Sequence, residues 1–229
     1  MKELVNIDKN KLLSNGWVLL PELRLTDQEN NEIINEASTL KDVKVYEEST
    51  PLHNKLYHFR NLDTILKPKL IEIAKDMGYA VNKNDVYCIT RMVKSSNPKE
   101  MYKAHFDSHL FTLVTPIKIP SSKGSSENGE LIIYPRIRNE PKSELQNFTQ
   151  KLFYKYFANK KGIKKINSKN AYKEFNFKDR VPLLFLGRQT LHYNKPFDSD
   201  EYRITLLTHF FDPSSKYGIG NILRKIRNR

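Results

Sequence analysis

Apolar residues recur every three or four positions in the first third of the chain, and from about residue 85 they fall instead into short β-rich runs. "TDQE" at 26–29 reads as a capping box, with Thr26 as the cap and Glu29 reaching back to it. Ile33, Ile34, Ala37 and Leu40 follow at helical spacing. A second helix is predicted from Pro68 to Met77, where Pro68 suits the first turn and Gly78 the stop. Strands are then predicted in "VYCITRMVK" (86–94), "HLFTLVTPIKIP" (109–120), "ELIIY" (130–134), "VPLLFLG" (181–187) and "RITLLTHFF" (203–211). "SSKGSSENG" (121–129) is a polar loop.

Residues 136–180 do not read as strand. Leu145, Phe148, Leu152, Phe153, Tyr156 and Phe157 form one helical stripe, ended by "NKKG" at 159–162. That stripe is expected to pack on the sheet, in preference to lying on a membrane surface. The whole reads as one domain, mainly β with flanking helices, with short strands separated by turns that suggest a sandwich or jelly roll. Residues 1–82 form a mixed helical region and 83–213 the core, with a basic helical insertion at 136–180. Residues 214–229 form a basic tail.

Composition sharpens this picture. Hydrophobic residues make up 38% of the 229, enough for a sizeable core, so extensive disorder is not expected. Trp17 is expected in that core. The one cysteine, Cys88, excludes an internal disulfide and a cysteine zinc cluster. No apolar run approaches the ~18–20 residues that span a bilayer, and the start lacks a signal-peptide h-region, so a cytoplasmic setting is expected. The net charge of +13 is uneven: residues 136–180 hold 13 basic against 4 acidic groups, and 213–229 hold 5 basic and no acid. The rest of the chain is near neutral, so the basic segments are either solvated surface or a steering face for an anion, a headgroup or nucleic acid.

The candidate chemistry begins at "AHFDSH" (104–109). On a strand, His105 and Asp107 share a face about 6.6 Å apart, close enough to hold one metal ion between them. His109 would lie about 13 Å from His105 unless the chain turns at Ser108. His192, in "GRQTLHYNKP", supplies a distal third ligand. Arg203 opens the strand 203–211, and Thr205 lies beside it on the same face. His209 shares that face about 20 Å from Arg203, and reads as a satisfied core or edge histidine. His53 and His58 belong to no constellation in the sequence. Two histidines and one carboxylate leave open positions on a metal.

With these residues in order, the chain resembles the Fe(II)- and 2-oxoglutarate-dependent dioxygenases, in particular their prolyl-4-hydroxylase-like and phytanoyl-CoA-hydroxylase-like branches. The likeness spans about residues 83–213 and rests on "MYKAHFD", "GELIIYP", "LFLGRQTLHYNKP" and "EYRITLLTHFF". The chain departs from the family pattern in a short loop after the H-x-D pair, in Asn128 where a first glycine is usual, and in the long basic insertion.

The resemblance implies a double-stranded β-helix (cupin-like jelly roll) core, with Fe(II) on His105, Asp107 and His192, 2-oxoglutarate held by Arg203 and Thr205, and O2 as cosubstrate. It implies oxidation of a C–H bond in a small molecule, an anionic one among the options, or in a protein side chain, with release of succinate and CO2. Asp107 favours hydroxylation over halogenation, because halogenating relatives replace that carboxylate. Arg91, Tyr102, Arg136, Arg138 and Arg188 are candidate pocket residues. Two alternatives stand beside this reading. One is a basic protein binding nucleic acid or a membrane surface on an idle jelly roll. The other is a cupin-like metalloenzyme that uses Fe, Mn or Ni without 2-oxoglutarate and so needs no Arg203.

Overall fold

Two antiparallel sheets face each other in the computed structural model, which describes residues 5–39, 46–48, 51–94, 102–120, 128–156, 159–167 and 169–213. The strands are β1 (Trp17–Leu19), β2 (Tyr46–Glu48), β3 (Val86–Val93), β4 (Phe111–Lys118), β5 (Leu131–Tyr134), β6 (Lys173–Phe175), β7 (Leu183–Leu186), β8 (Leu191–Asn194) and β9 (Arg203–Phe210). The larger sheet runs β1-β7-β4-β9-β3-β2 and the smaller β6-β5-β8. This is the expected mainly-β sandwich with flanking helices, and the five strands predicted from the runs are β3, β4, β5, β7 and β9. The strand order places non-consecutive segments side by side, as a jelly roll requires.

The larger sheet is covered on both faces, which explains why its strands read as continuous apolar runs rather than clean alternations. Its outer face carries Phe111, Leu113, Leu184, Leu186, Ile204, Leu206 and Phe210. The helices α1 (Lys9–Asn15), α2 (Asp27–Thr39), α3 (Pro51–Arg60), α4 (Leu62–Ile65) and α5 (Lys67–Asp76) pack there through residues such as Leu12, Ile33, Leu56 and Leu70. The capping box forms as expected: the Thr26 backbone N–H donates to Glu29 at 2.8 Å, and Glu29 N–H donates back to Thr26 Oγ1 at 3.3 Å. Gly78 ends α5 with a φ of +85°, a conformation that glycine adopts without strain. The inner face contributes Val114, Leu183 and Phe185, which meet Leu131 and Ile133 of the smaller sheet. Trp17 is partly buried at the edge of that cluster, edge-on to Phe175 at 5.0 Å.

The structure corrects several expectations. Strands β1 and β2 arise in the region read as helical, and β6 arises inside 136–180, where no strand was expected. Each is three residues long, too short for a period-of-two pattern to show. Helix α6 (Glu144–Tyr156) forms where predicted, but its apolar stripe points outward: Leu145 is 73% exposed and Leu152 51%. The cause lies in two buried guanidiniums. Arg138 donates to Asn147 Oδ1 at 2.8 Å and Gln150 Oε1 at 3.0 Å, and Arg188 donates to Glu144 Oε1 at 2.9 Å. A buried charge costs several kcal/mol unless it is paired, so the acceptor face of α6 turns inward. The apolar stripe, on the opposite side of the helix, is left in solvent. Leu40, Phe157, the loop 121–127 and the tail from 214 lie outside the described residues.

Candidate metal centre

The short pairing of His105 with His192 builds the centre. His105 N–H donates to His192 O at 3.1 Å, and His192 N–H donates back at 3.0 Å. This antiparallel bridge brings the two rings to 4.3 Å. Asp107, two residues beyond His105, falls on the same side. Its Oδ1 lies 3.8 Å from the Nε2 of each histidine. The ligand atoms of all three side chains lie within 4.8 Å of one another, a spacing that a single ion bridges.

Each ring is set in the tautomer a metal needs. His105 Nδ1 lies 2.8 Å from Lys103 O, and His192 Nδ1 lies 3.2 Å from Thr190 O. A carbonyl only accepts, so both Nδ1 atoms carry the proton and both Nε2 lone pairs are free to bind. Burial first, then the neighbouring His192, holds the His105 imidazole neutral well below its ordinary pKa, although its outer edge is open to solvent. Burial opposes ionisation of Asp107, but His192, His209, His105 and the Thr112 hydroxyl outweigh it and hold the carboxyl below the usual range.

Thr112 and His209 complete the support of the carboxylate. Thr112 Oγ1 donates to Asp107 Oδ2 at 2.5 Å and lies 3.0 Å from His209 Nδ1, which itself lies 3.7 Å from Asp107 Oδ2. His209 is a satisfied buried histidine as expected, and its partners are Thr112 and the Asp107 carboxylate rather than Arg203. The chain does bend at Ser108–Leu110. His109 thereby stacks on His209 at 5.0 Å and on Tyr87 at 5.8 Å, while the ligand group itself comprises His105, Asp107 and His192. No sequence signal marked Thr112, since a threonine in a β-run is ordinary.

Arg203, Thr205, Leu207 and His209 line the inner face of β9. Arg203 is 3% exposed and donates through Nη1 to Gly129 O. Its Nε and Thr205 Oγ1 are buried without a hydrogen-bond partner among the described residues. A buried polar atom left unpaired costs ~1–3 kcal/mol, a cost that an acceptor ligand at this pair would relieve. Burial and then the adjacent Arg91 push the Arg203 pKa down to about 9, with Glu130 offsetting part of the shift. Arg91 itself is buried and donates to Asn194 Oδ1 at 2.9 Å. Two guanidiniums this close favour an anion between or beside them.

The other candidate pocket residues have separate surroundings. Tyr102, at a φ of +56°, donates its N–H to Asn194 O and packs on Tyr193 at 5.9 Å. Arg136 reaches the carbonyls of Leu13 and Ser14 at the end of α1. Arg138 lies over the Phe106 ring at 3.8 Å, and Arg188 pairs with Glu140 as well as Glu144. Lys151 of α6 donates to Ser108 Oγ at 2.9 Å, and burial pushes its pKa down to about 8.

Neither a protein-family model nor a curated protein sequence matches the chain. Solved structures do. A Pseudomonas putida prolyl-4-hydroxylase superposes with a TM-score of 0.53 at 11% identity, covering 89% of this chain and 96% of that one. The chain has the double-stranded β-helix fold of that enzyme. The rice dioxygenase for auxin oxidation shares the dioxygenase fold at a TM-score of 0.52 and 7% identity, over 90% of this chain and 77% of that one. The non-haem α-ketoglutarate-dependent epimerase SnoN of nogalamycin biosynthesis does so at 0.52 and 15%, over 89% and 81%. SnoN has also been solved in complex with Fe3+, α-ketoglutarate and a nogalamycin derivative. Among the described residues, no helix is long and apolar enough to cross a membrane.

Proposed function

We propose that the protein is an Fe(II)- and 2-oxoglutarate-dependent oxygenase that hydroxylates a C–H bond of a small molecule or a protein side chain, releasing succinate and CO2. The carrying observation is the pairing of a two-histidine, one-carboxylate cluster with a buried arginine and threonine whose polar atoms lack partners. His105 Nε2, Asp107 Oδ1 and His192 Nε2 would hold the metal. This donor set, with mixed imidazole and carboxylate ligands and open positions, suits Fe(II). When bound, Fe(II) supplies the dioxygen activation that such an oxidation requires.

The chain's own groups position the reactants. Arg203 offers a planar fork of donors to the distal carboxylate of 2-oxoglutarate, and the Thr205 hydroxyl adds a further donor. Arg91, held by Asn194 and adjacent to Arg203, would border the substrate and bias it towards an anionic group. The Thr112–His209 pair fixes which Asp107 oxygen faces the metal.

Succinate formation from 2-oxoglutarate, with Fe(II) and O2, tests the proposal without knowledge of the substrate. The native protein should turn over in a metal-dependent manner. His105→Ala and Arg203→Ala should each abolish turnover, with only His105→Ala losing metal affinity. Turnover that survives Arg203→Ala would contradict the role given to the arginine. Metal binding without any oxoacid turnover would favour the cupin-like alternative.

A further inference from the structure

We propose that the outward face of α6, with the lysines of α7 (Lys160–Asn167) beside it, docks the protein on an anionic lipid bilayer. Five large apolar side chains of α6 lie in solvent: Leu145, Phe148, Leu152, Phe153 and Tyr156, exposed by 48% to 80%. They fall on one side of the helix, opposite the Asn147, Gln150 and Lys151 side that is tied to Arg138 and Ser108. A contiguous exposed apolar stripe of this kind marks a contact surface rather than ordinary exterior.

The next helix supplies the complementary charge. α7 buries Ile163 and Ile166 against Tyr134 and Tyr193 of the smaller sheet, and so presents Lys161, Lys164 and Lys165 outward. Lys155 of α6 is exposed as well. Tyr154, on the inner side of α6, packs in the same cluster as Ile163 and Ile166, so both helices turn their outer faces away from that cluster; an aromatic and aliphatic stripe with lysines on the neighbouring helix is the chemistry that inserts at the headgroup boundary of an acidic membrane. A second copy of the chain is a poorer occupant, because each copy would bring the same excess of positive charge from 136–180, 13 basic against 4 acidic groups. Nucleic acid would use the lysines and leave the apolar stripe wet. The inner side of α6 contacts Ser108, the neighbour of Asp107. Docking would therefore hold the metal centre about one helix diameter, roughly 10 Å, from the headgroups.

Vesicle co-sedimentation of the full chain tests this. It compares phosphatidylcholine alone with phosphatidylcholine carrying phosphatidylserine, at low and at high salt. The native protein should partition onto the anionic vesicles and release at high salt. Phe148→Gln/Leu152→Gln should weaken partition by about ten-fold or more through lost apolar burial. Lys161→Gln/Lys164→Gln should weaken it by about five-fold per charge. Circular dichroism and the urea midpoint should be unchanged in both, since every substituted side chain is exposed; Leu145→Gln serves in place of the first pair should that pair fail to fold. Absence of partition by the folded native protein would overturn the proposal. So would partition indifferent to Phe148→Gln/Leu152→Gln, or dimerisation of the native protein that this pair abolishes without any vesicle binding.

Discussion

Thr112→Val removes one hydroxyl and almost no volume, and the structure ties that hydroxyl to the candidate metal centre. Thr112 donates to Asp107 Oδ2 at 2.5 Å, and its oxygen lies 3.0 Å from the Nδ1 of His209. A hydrogen bond to an ionised carboxylate contributes ~1.5–3 kcal/mol. Outer hydrogen-bond partners of metal ligands typically account for 10–100-fold in affinity, which is about 1.4–2.8 kcal/mol and agrees with the direct estimate. The variant should therefore bind Mn(II), an oxygen-stable stand-in for Fe(II), about 10–100-fold more weakly. Loss of the donor also raises the Asp107 pKa, so protons should begin to displace the metal at a higher pH than in the native protein. Calorimetric titration of Mn(II) across pH reads both effects, with the urea midpoint as a check on folding. Native-like affinity, within two-fold, in a folded Thr112→Val protein would refute the claim that this hydroxyl positions the carboxylate.

Three further outcomes follow from the packing. A Cβ at Gly187 would meet His109 O at 2.7 Å, Thr112 Oγ1 at 2.9 Å and Asp107 Cβ at 3.0 Å, so Gly187→Ala should displace Asp107, abolish tight Mn(II) binding and destabilise by ~1–3 kcal/mol in urea unfolding. Gly129 has a φ of +72°, and its added Cβ would press on Arg203 Nη1 and Phe197 at 3.1 Å; Gly129→Ala should thus raise the Kd for 2-oxoglutarate while leaving Mn(II) affinity near native. His53 is buried between Thr90 Oγ1 and Leu207 O, and burial pushes its pKa down to about 4. The unfolded chain binds that proton at about 6.5, so stability is intact above that pH and is lost as pH falls towards 4. The loss approaches ~3 kcal/mol, and His53→Gln should flatten this part of the pH–stability profile measured by urea unfolding.

Much of this molecule was legible because its strongest signals are local. The Thr26–Glu29 box and the Pro68 and Gly78 punctuation act within one helical turn, and the structure places α2 and α5 where these signals put them. The H-x-D spacing brings two donors to one side, as expected of an extended segment, although neither residue lies in a strand and only His105 makes a β-bridge. The direction of α6 was not legible, because it is decided by Arg188, which reaches Glu144 across the fold, and by Arg138, which the Arg188 carbonyl fixes beneath Asn147. Helical periodicity reports that a face is apolar and says nothing about which way it turns. The partners of His209 were hidden for a related reason. A distance counted along β9 cannot show that β4 carries Thr112 and the nearby Asp107 carboxylate up against it.

Where a metal and an oxoacid sit decides most directly whether these residues form an oxygenase site. An anaerobic crystal structure with Mn(II) and 2-oxoglutarate would show both. The ion is expected on Nε2 of His105, Nε2 of His192 and Oδ1 of Asp107, with the distal carboxylate of the oxoacid against Arg203 and Thr205. An ion held by other side chains, or an oxoacid lying away from Arg203, would contradict that assignment.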